Sequence, residues 1–202
     1  AEARIHIAHL SVKGAVGLVK EAKKKKIKVT AEVTPHHLFL TDSCLETYDT
    51  NLKVNPPLRS KEDTQALIQA VKEGVVDVFV TDHAPHTADE KDAEFDIAPF
   101  GICGLETAVS LLLDRLVNKN VISIKKFIQM TSTNPALILG LENKGKISPG
   151  ADADLTILNL HKQIVVDVKT FKSKSRNNPF HGWKLRGAAV MTIVGGKIVH
   201  SS

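Results

Sequence analysis

Three β-type runs alternate with helical stretches in the first part of the chain, and each run stops at or beside a residue that can bind a metal or move a proton. Arg4-Ile5-His6-Ile7-Ala8-His9 closes on His9, and Lys28-Val29-Thr30-Ala31-Glu32-Val33-Thr34 runs into Pro35-His36-His37. Val75-Val76-Asp77-Val78-Phe79-Val80 leads into Thr81-Asp82-His83-Ala84-Pro85-His86. Between the runs, Val12, Val16 and Val19 share one face of a helix expected over 12–25, with Ser11 as its N-cap, and Ser60 is expected to cap a helix over 61–72. Successive β-α-β units cross over right-handed and build a parallel sheet. In such sheets active sites lie at the carboxyl ends of the strands, where these His and Asp residues fall.

Each residue alone has a plainer reading. A histidine at a strand end is more often a hydrogen-bonded structural residue than a ligand. Asp82-His83-Ala84-Pro85 also reads as a turn, with Pro85 forbidding continuation and Asp82 accepting from a nearby amide. The weight comes from their combination at three successive strand ends.

The rest of the chain divides in two. Asn55-Pro56-Pro57-Leu58-Arg59 must be extended, since two prolines forbid a helix. The segment 87–104 is charged, carries Pro99 and Gly101, and reads as a long loop over the site. Helices are expected over 105–117, 124–130 and 135–139. From Lys146 onward the pattern turns to short β runs at 153–158, 164–168, 183–186, 190–194 and 197–200, with Gly195-Gly196 as a hairpin signal. The expected domains are therefore a β/α domain over 1–145 and a small β domain over 146–202.

With 202 residues, 43% of them hydrophobic, the chain can bury a sizeable core, and its apolar runs are too short for a membrane span. Cys44 and Cys103 make no disulfide framework and no CxxC, which suggests a reducing, cytoplasmic compartment; no signal or transit segment is expected either. Much of the net charge of +5 sits in Lys23-Lys24-Lys25-Lys26 at the end of the first helix, where cations oppose the negative end of the helix dipole. That placement argues against a nucleic-acid partner. The chain starts at Ala1, only three residues before a strand, which suggests a piece of something longer. Three β/α units cannot close a barrel, so the sheet calls for further strands on its amino-terminal side.

Several segments together resemble bacterial-type dihydroorotases of the amidohydrolase superfamily, in their carboxyl-terminal half. They are Ile7-Ala8-His9-Leu10-Ser11, Glu32-Val33-Thr34-Pro35-His36-His37-Leu38, Asn55-Pro56-Pro57-Leu58-Arg59, Asp82-His83-Ala84-Pro85-His86 through Glu90-Lys91, and Pro99-Phe100-Gly101-Ile102-Cys103-Gly104-Leu105-Glu106-Thr107. Gly150-Ala151-Asp152-Ala153-Asp154-Leu155 is similar to the superfamily's small β domain. Allantoinases and hydantoinases share the broader pattern and usually differ around Pro35-His36-His37 and 82–86.

The resemblance implies an α/β fold: the carboxyl-terminal part of a (β/α)8 TIM-type barrel, roughly its last three β/α units with extra helices, plus a small β-sandwich-like domain. It implies a zinc-dependent hydrolase acting on a cyclic amide, interconverting dihydroorotate and N-carbamoyl-L-aspartate in pyrimidine biosynthesis, with one or two zincs per complete site. By the same resemblance His9 and Asp82 are metal ligands and Asp82 is also the catalytic general base and acid. Asn55, His86, Phe100 and Gly101 match substrate-binding positions, whereas His36, His37 and His83 read as structural. The HxH pair, the bridging residue and the fifth-strand histidine lie upstream of Ala1. The chain alone is therefore expected to be inactive and to bind zinc weakly, since catalytic zinc sites usually keep three protein ligands plus water. The partners implied are the missing amino-terminal half of the barrel, within one protein or in trans, and a second copy of the chain or aspartate transcarbamoylase. The alternatives are a non-catalytic half-barrel scaffold binding a pyrimidine-pathway partner, and an allantoinase- or hydantoinase-like amidohydrolase.

Overall fold

A computed structural model describes residues 3–202. The three expected runs form a parallel sheet in the order β1 (Ile5–Ile7), β2 (Val29–Val33), β3 (Val78–Phe79). Ile5 pairs with Val29, Ile7 with Ala31, and Glu32 with Val78. On the central strand Ala31 and Val33 are fully enclosed, and both residues of β3 are buried, as parallel strands covered by helices require.

The crossover helices are α1 (Lys13–Lys24) between β1 and β2, and α2 (Pro35–Phe39) and α3 (Lys61–Glu73) between β2 and β3. Ser60 caps α3 as expected, accepting the Asp63 N–H, and Gly74 ends that helix in the left-handed region. Ser11 does not cap α1. The N-cap position is Val12, which has no side-chain acceptor, and the Lys13 N–H donates instead to Asp63 Oδ1 at 2.8 Å. One carboxylate in the first turn of α3 thus supplies the donor-starved start of α1 with its acceptor. The lysine run is also not wholly solvated. Lys23 Nζ lies 2.6 Å from Asp77 Oδ2, which in turn accepts the Ala31 N–H of β2.

Short helical turns over Pro35–Phe39, Asp42–Thr47 and Thr50–Leu52 fill the region before the proline loop, and α4 (Ala88–Lys91) interrupts the expected long loop. A reciprocal pair of bonds between Thr87 and Glu90 starts α4. Helix α5 (Leu105–Leu112) widens into a π-type turn at Leu113–Val117. Helix α6 (Ile124–Ile128) continues through another, Gln129–Thr133, into α7 (Asn134–Leu139). Pro135 has no N–H to return to the preceding turn, and the wider winding falls just before it.

The five short β runs expected after residue 146 become three antiparallel strands in the order β4 (Leu155–Val165), β5 (Lys184–Val194), β6 (Lys197–Ser201). A register shift between Asn159 and Gln163 absorbs the expected break within β4, where Asn159 Oδ1 accepts the His161 and Lys162 N–H groups. Among the described residues this single sheet stands where a β-sandwich-like domain was expected.

The compact units also divide differently from a boundary at 145/146. One runs to Glu106 and includes Asp167–His181; the other comprises Thr107–Val166 and Gly182–Ser202. The second unit has its own core, with Leu111, Leu112, Leu113, Leu116 and Leu185 all nearly inaccessible. The helices after residue 107 thus bury their apolar faces in the unit that holds the antiparallel sheet, a grouping that their sequence neighbours do not reveal.

Candidate active site

Both polar residues that follow β1 and β3 have left-handed backbones. His9 has φ 50° and Asp82 has φ 47°, a region that costs a non-glycine residue about 1–2 kcal/mol. The main chain around His9 is tied down where it leaves the strand, with the Leu10 N–H on Glu32 O at 3.0 Å. The turns bring His9 Nε2 to 3.6 Å from Asp82 Oδ1, with about a quarter of each side chain exposed.

Glu32 of β2 stands between two imidazoles. Its Oε2 pairs with His6 Nε2 at 2.8 Å, and its Oε1 lies 2.8 Å from His9 Nδ1. The second contact is short but off the line of a hydrogen bond, since the buried His9 Nδ1 has no aligned partner. His6 Nδ1 is engaged by Thr30 Oγ1 at 2.7 Å.

His36 and His37 are each 2% exposed. Both ring nitrogens of His37 are occupied, by Thr34 Oγ1 at 2.7 Å and Pro56 O at 2.8 Å. Burial lowers its pKa, partly opposed by the Pro56 carbonyl. His36 Nε2 has no partner, and burial, reinforced by His37 and His9, holds that imidazole well below its ordinary pKa. His36 is therefore neutral at physiological pH.

A second group forms where the turn after Asp82 meets the turn at Phe100–Gly101. His86 Nε2 is bonded to Phe100 O at 3.0 Å, and its Nδ1 lies 3.4 Å from Glu90 Oε2. Gly101 has φ 149°, and a Cβ there would come within 2.7 Å of Ala84 Cβ and O, so only glycine permits the approach. Two buried lysines hold this turn. Lys53 donates its ammonium to Asp96 O at 2.9 Å, lies 4.7 Å from the Phe100 ring, and accepts the Gly101 N–H at its carbonyl. Lys91 donates to Pro99 O at 2.8 Å and Gly101 O at 3.4 Å, and its pKa is lowered by burial.

The structure thus joins His9 with Asp82, and His86 with Phe100 and Gly101. Asn55 joins neither directly; it is exposed, two residues after Lys53. Glu32 and Lys53 are residues to which reasoning from sequence gave no role; Lys91 was part of the motif that ends at Glu90-Lys91, with no role attached. An acidic residue inside a strand buried on both faces was a readable signal for Glu32. Nothing local marks Lys53, whose acceptor is the distant Asp96 carbonyl, whereas Lys91 bonds carbonyls of its own segment 87–104.

Two donors 3.6 Å apart suit neighbouring ligands of a tetrahedral zinc, for which bonds of about 2.0–2.2 Å give a ligand separation of roughly 3.4 Å. Among the described residues no group of three or more His, Cys, Asp or Glu is placed to hold a metal ion. His9 and Asp82 therefore fit part of a zinc site and need donors from beyond this set.

The model of the amidohydrolase family matches residues 1–199. The chain belongs to the amidohydrolase family. Among amidohydrolase relatives, "Dihydroorotase" of Caldanaerobacter subterraneus subsp. tengcongensis is 50% identical over 97% of this chain, and "Dihydroorotase" of Bacillus cytotoxicus is 49% identical over 98%. The chain spans about half the length of the curated relatives it matches, 45% and 46% for these two. Solved amidohydrolase structures share the fold. L-hydantoinase from Arthrobacter aurescens gives a TM-score of 0.95 at 32% identity, covering all of this chain and 46% of that one. Dihydropyrimidinase from Brevibacillus agri gives 0.93 at 29%, covering 99% and 45%. The likeness to dihydroorotases read from the motifs is thus found along nearly the whole chain. Among the described residues no helix is long and apolar enough to cross a membrane.

Proposed function

We propose that this chain carries part of the zinc site and the ring-binding turns of a dihydroorotase, the hydrolase that interconverts dihydroorotate and N-carbamoyl-L-aspartate in pyrimidine biosynthesis. The observation that carries the reading is His9 Nε2 facing Asp82 Oδ1 at 3.6 Å, at the carboxyl ends of two parallel strands. It is supported by the half-identity to proteins named dihydroorotase.

Zinc, when bound by His9 and Asp82 with donors from elsewhere, would polarise the ring carbonyl and acidify water toward a pKa of about 7. Glu32 keeps the His9 ring turned with Nε2 toward the site. Asp82 takes a proton from the attacking water and returns it to the ring nitrogen as the amide bond breaks. The substrate carboxylate meets the Asn55 amide and the His86 imidazole, both able to donate. His86 Nε2 is bonded to Phe100 O, which ties the imidazole that meets the ligand to the Phe100–Gly101 turn.

The solved structures favour one further reading, since those matched are hydantoinases and a dihydropyrimidinase. Identity supports the first reading, at 49–51% to the dihydroorotases against 26–32% to these structures. The deciding experiment completes this chain with the part of the Caldanaerobacter relative that it does not match, then offers dihydroorotate, dihydrouracil and a 5-substituted hydantoin with zinc. Selective turnover of dihydroorotate supports the proposal. Preference for either other ring replaces it.

A further inference from the structure

The segment Ser173–Asn178 follows the strand β4 in sequence, yet it packs with the first compact unit, among the turns of the candidate site. Asn177 lies at its centre, 4% exposed, with its side-chain amide fully engaged. Nδ2 donates to Ala84 O and to Gly101 O, both at 3.0 Å. Oδ1 accepts the His86 N–H at 3.3 Å and the Cys103 thiol at 3.0 Å, and lies 2.5 Å from Ser175 Oγ. The carbonyl of Asn177 accepts the Cys103 N–H at 2.8 Å. Ser175 Oγ also meets both main-chain polar groups of His86, accepting its N–H at 3.2 Å and contacting its carbonyl.

These partners come from two turns that sequence does not connect. One carries Ala84 and His86, the other Gly101 and Cys103. A planar amide with two donor positions on one nitrogen fixes the separation and direction of the two carbonyls it holds. Had the network served burial alone, it could have satisfied each turn separately. Instead a single side chain binds both, and the same turns meet at Gly101, where an added Cβ would lie 2.7 Å from Ala84 Cβ and O and 3.1 Å from His86 Cδ2.

We propose that Asn177 is a positioning residue for ligand recognition. It locks the His86 turn to the Phe100–Gly101 turn so that imidazole and main chain present one preset surface to a cyclic amide bearing a carboxylate. The inference rests on the preceding reading that these two turns contact substrate. Ser175 supports Asn177 by holding His86 from the same strip.

Hydrogen exchange on this chain tests the lock directly, using Asn177→Asp, which keeps the acceptor but removes both donors, and the milder Ser175→Ala. The expected result for Asn177→Asp is exchange about tenfold faster in 84–86 and 100–103 together, with β2 unchanged. Ser175→Ala should show a smaller effect in the same two segments. Unchanged exchange in folded variants, or loosening of one turn alone, overturns the lock. In the completed protein, Asn177→Asp should raise KM for dihydroorotate about tenfold while kcat stays within about threefold, because preset binding rather than proton transfer is lost. An unchanged KM, or a fall in kcat alone, overturns the positioning role. If the unsubstituted completed protein fails to turn over dihydroorotate, the functional reading falls, and the lock between the turns is then decided by exchange.

Discussion

Glu32 Oε1 lies 2.8 Å from His9 Nδ1, while Nε2 of the same ring faces Asp82 Oδ1 at 3.6 Å. Although the contact lies off the line of a hydrogen bond, the carboxylate's negative charge favours the proton on Nδ1, which would leave the Nε2 lone pair for the proposed zinc. Glu32→Gln should lower zinc affinity about tenfold to a hundredfold, read by competition with a chelator. Nitrogen NMR of the His9 ring adds a metal-free readout: the parent should show one tautomer and the variant a mixture. Unchanged affinity with an unchanged tautomer would remove Glu32 from the site.

Asp82 is proposed to move the proton, so its removal should affect rate more than binding. In the completed protein, Asp82→Asn should reduce kcat for dihydroorotate by about 10²–10⁴. Steady-state kinetics with saturating zinc separates loss of the base from loss of the metal. The 202-residue chain alone should show no measurable turnover and weak zinc binding, because His9 and Asp82 are two donors where a catalytic zinc usually has three from protein.

Gly101→Ala places a Cβ 2.7 Å from Ala84 Cβ and O at a φ of 149°. Backbone strain and the clash together should cost about 1–3 kcal/mol of stability, visible as a lower urea midpoint. The variant should also raise KM in the completed protein, since relief of the clash has to move the Gly101 turn away from His86. A neutral substitution would show that the two turns are free to separate.

Burial keeps His36 and His37 below their ordinary pKa, so the unfolded chain binds more protons than the folded one once pH falls below about 6.5. Stability from these groups is fully present above that value and is lost as pH falls toward their folded pKa values. Each adds a slope of up to about 1.4 kcal/mol per pH unit in that window. Urea unfolding of the metal-free chain between pH 7.5 and 5 should show the decline, and His36→Met should flatten part of it. A flat profile would mean that both rings are protonated in the folded state.

The alternation of apolar and helical spacing was sufficient to locate β1, β2, β3, α1 and α3, because burial of one face forces that spacing on the residues themselves. The strand-end positions of His9 and Asp82, the turn at Gly195-Gly196 and the Ser60 cap were legible for the same reason: each depends on neighbours in sequence. The start of α1 was not, since its acceptor belongs to Asp63 on another helix. Nor was the division into units, because the helices after Thr107 are assigned by what they bury against, and the strip Asp167–His181 by the turns it bonds. Sequence by itself determined where the parallel strands end and that His9 and Asp82 follow two of those ends. Only the tertiary structure decided that Glu32 faces His9, that Lys53 and Lys91 grip the Gly101 turn, and that Asn177 joins it to His86. Most of those contacts join residues far apart in sequence, and no local preference of the chain encodes the partner.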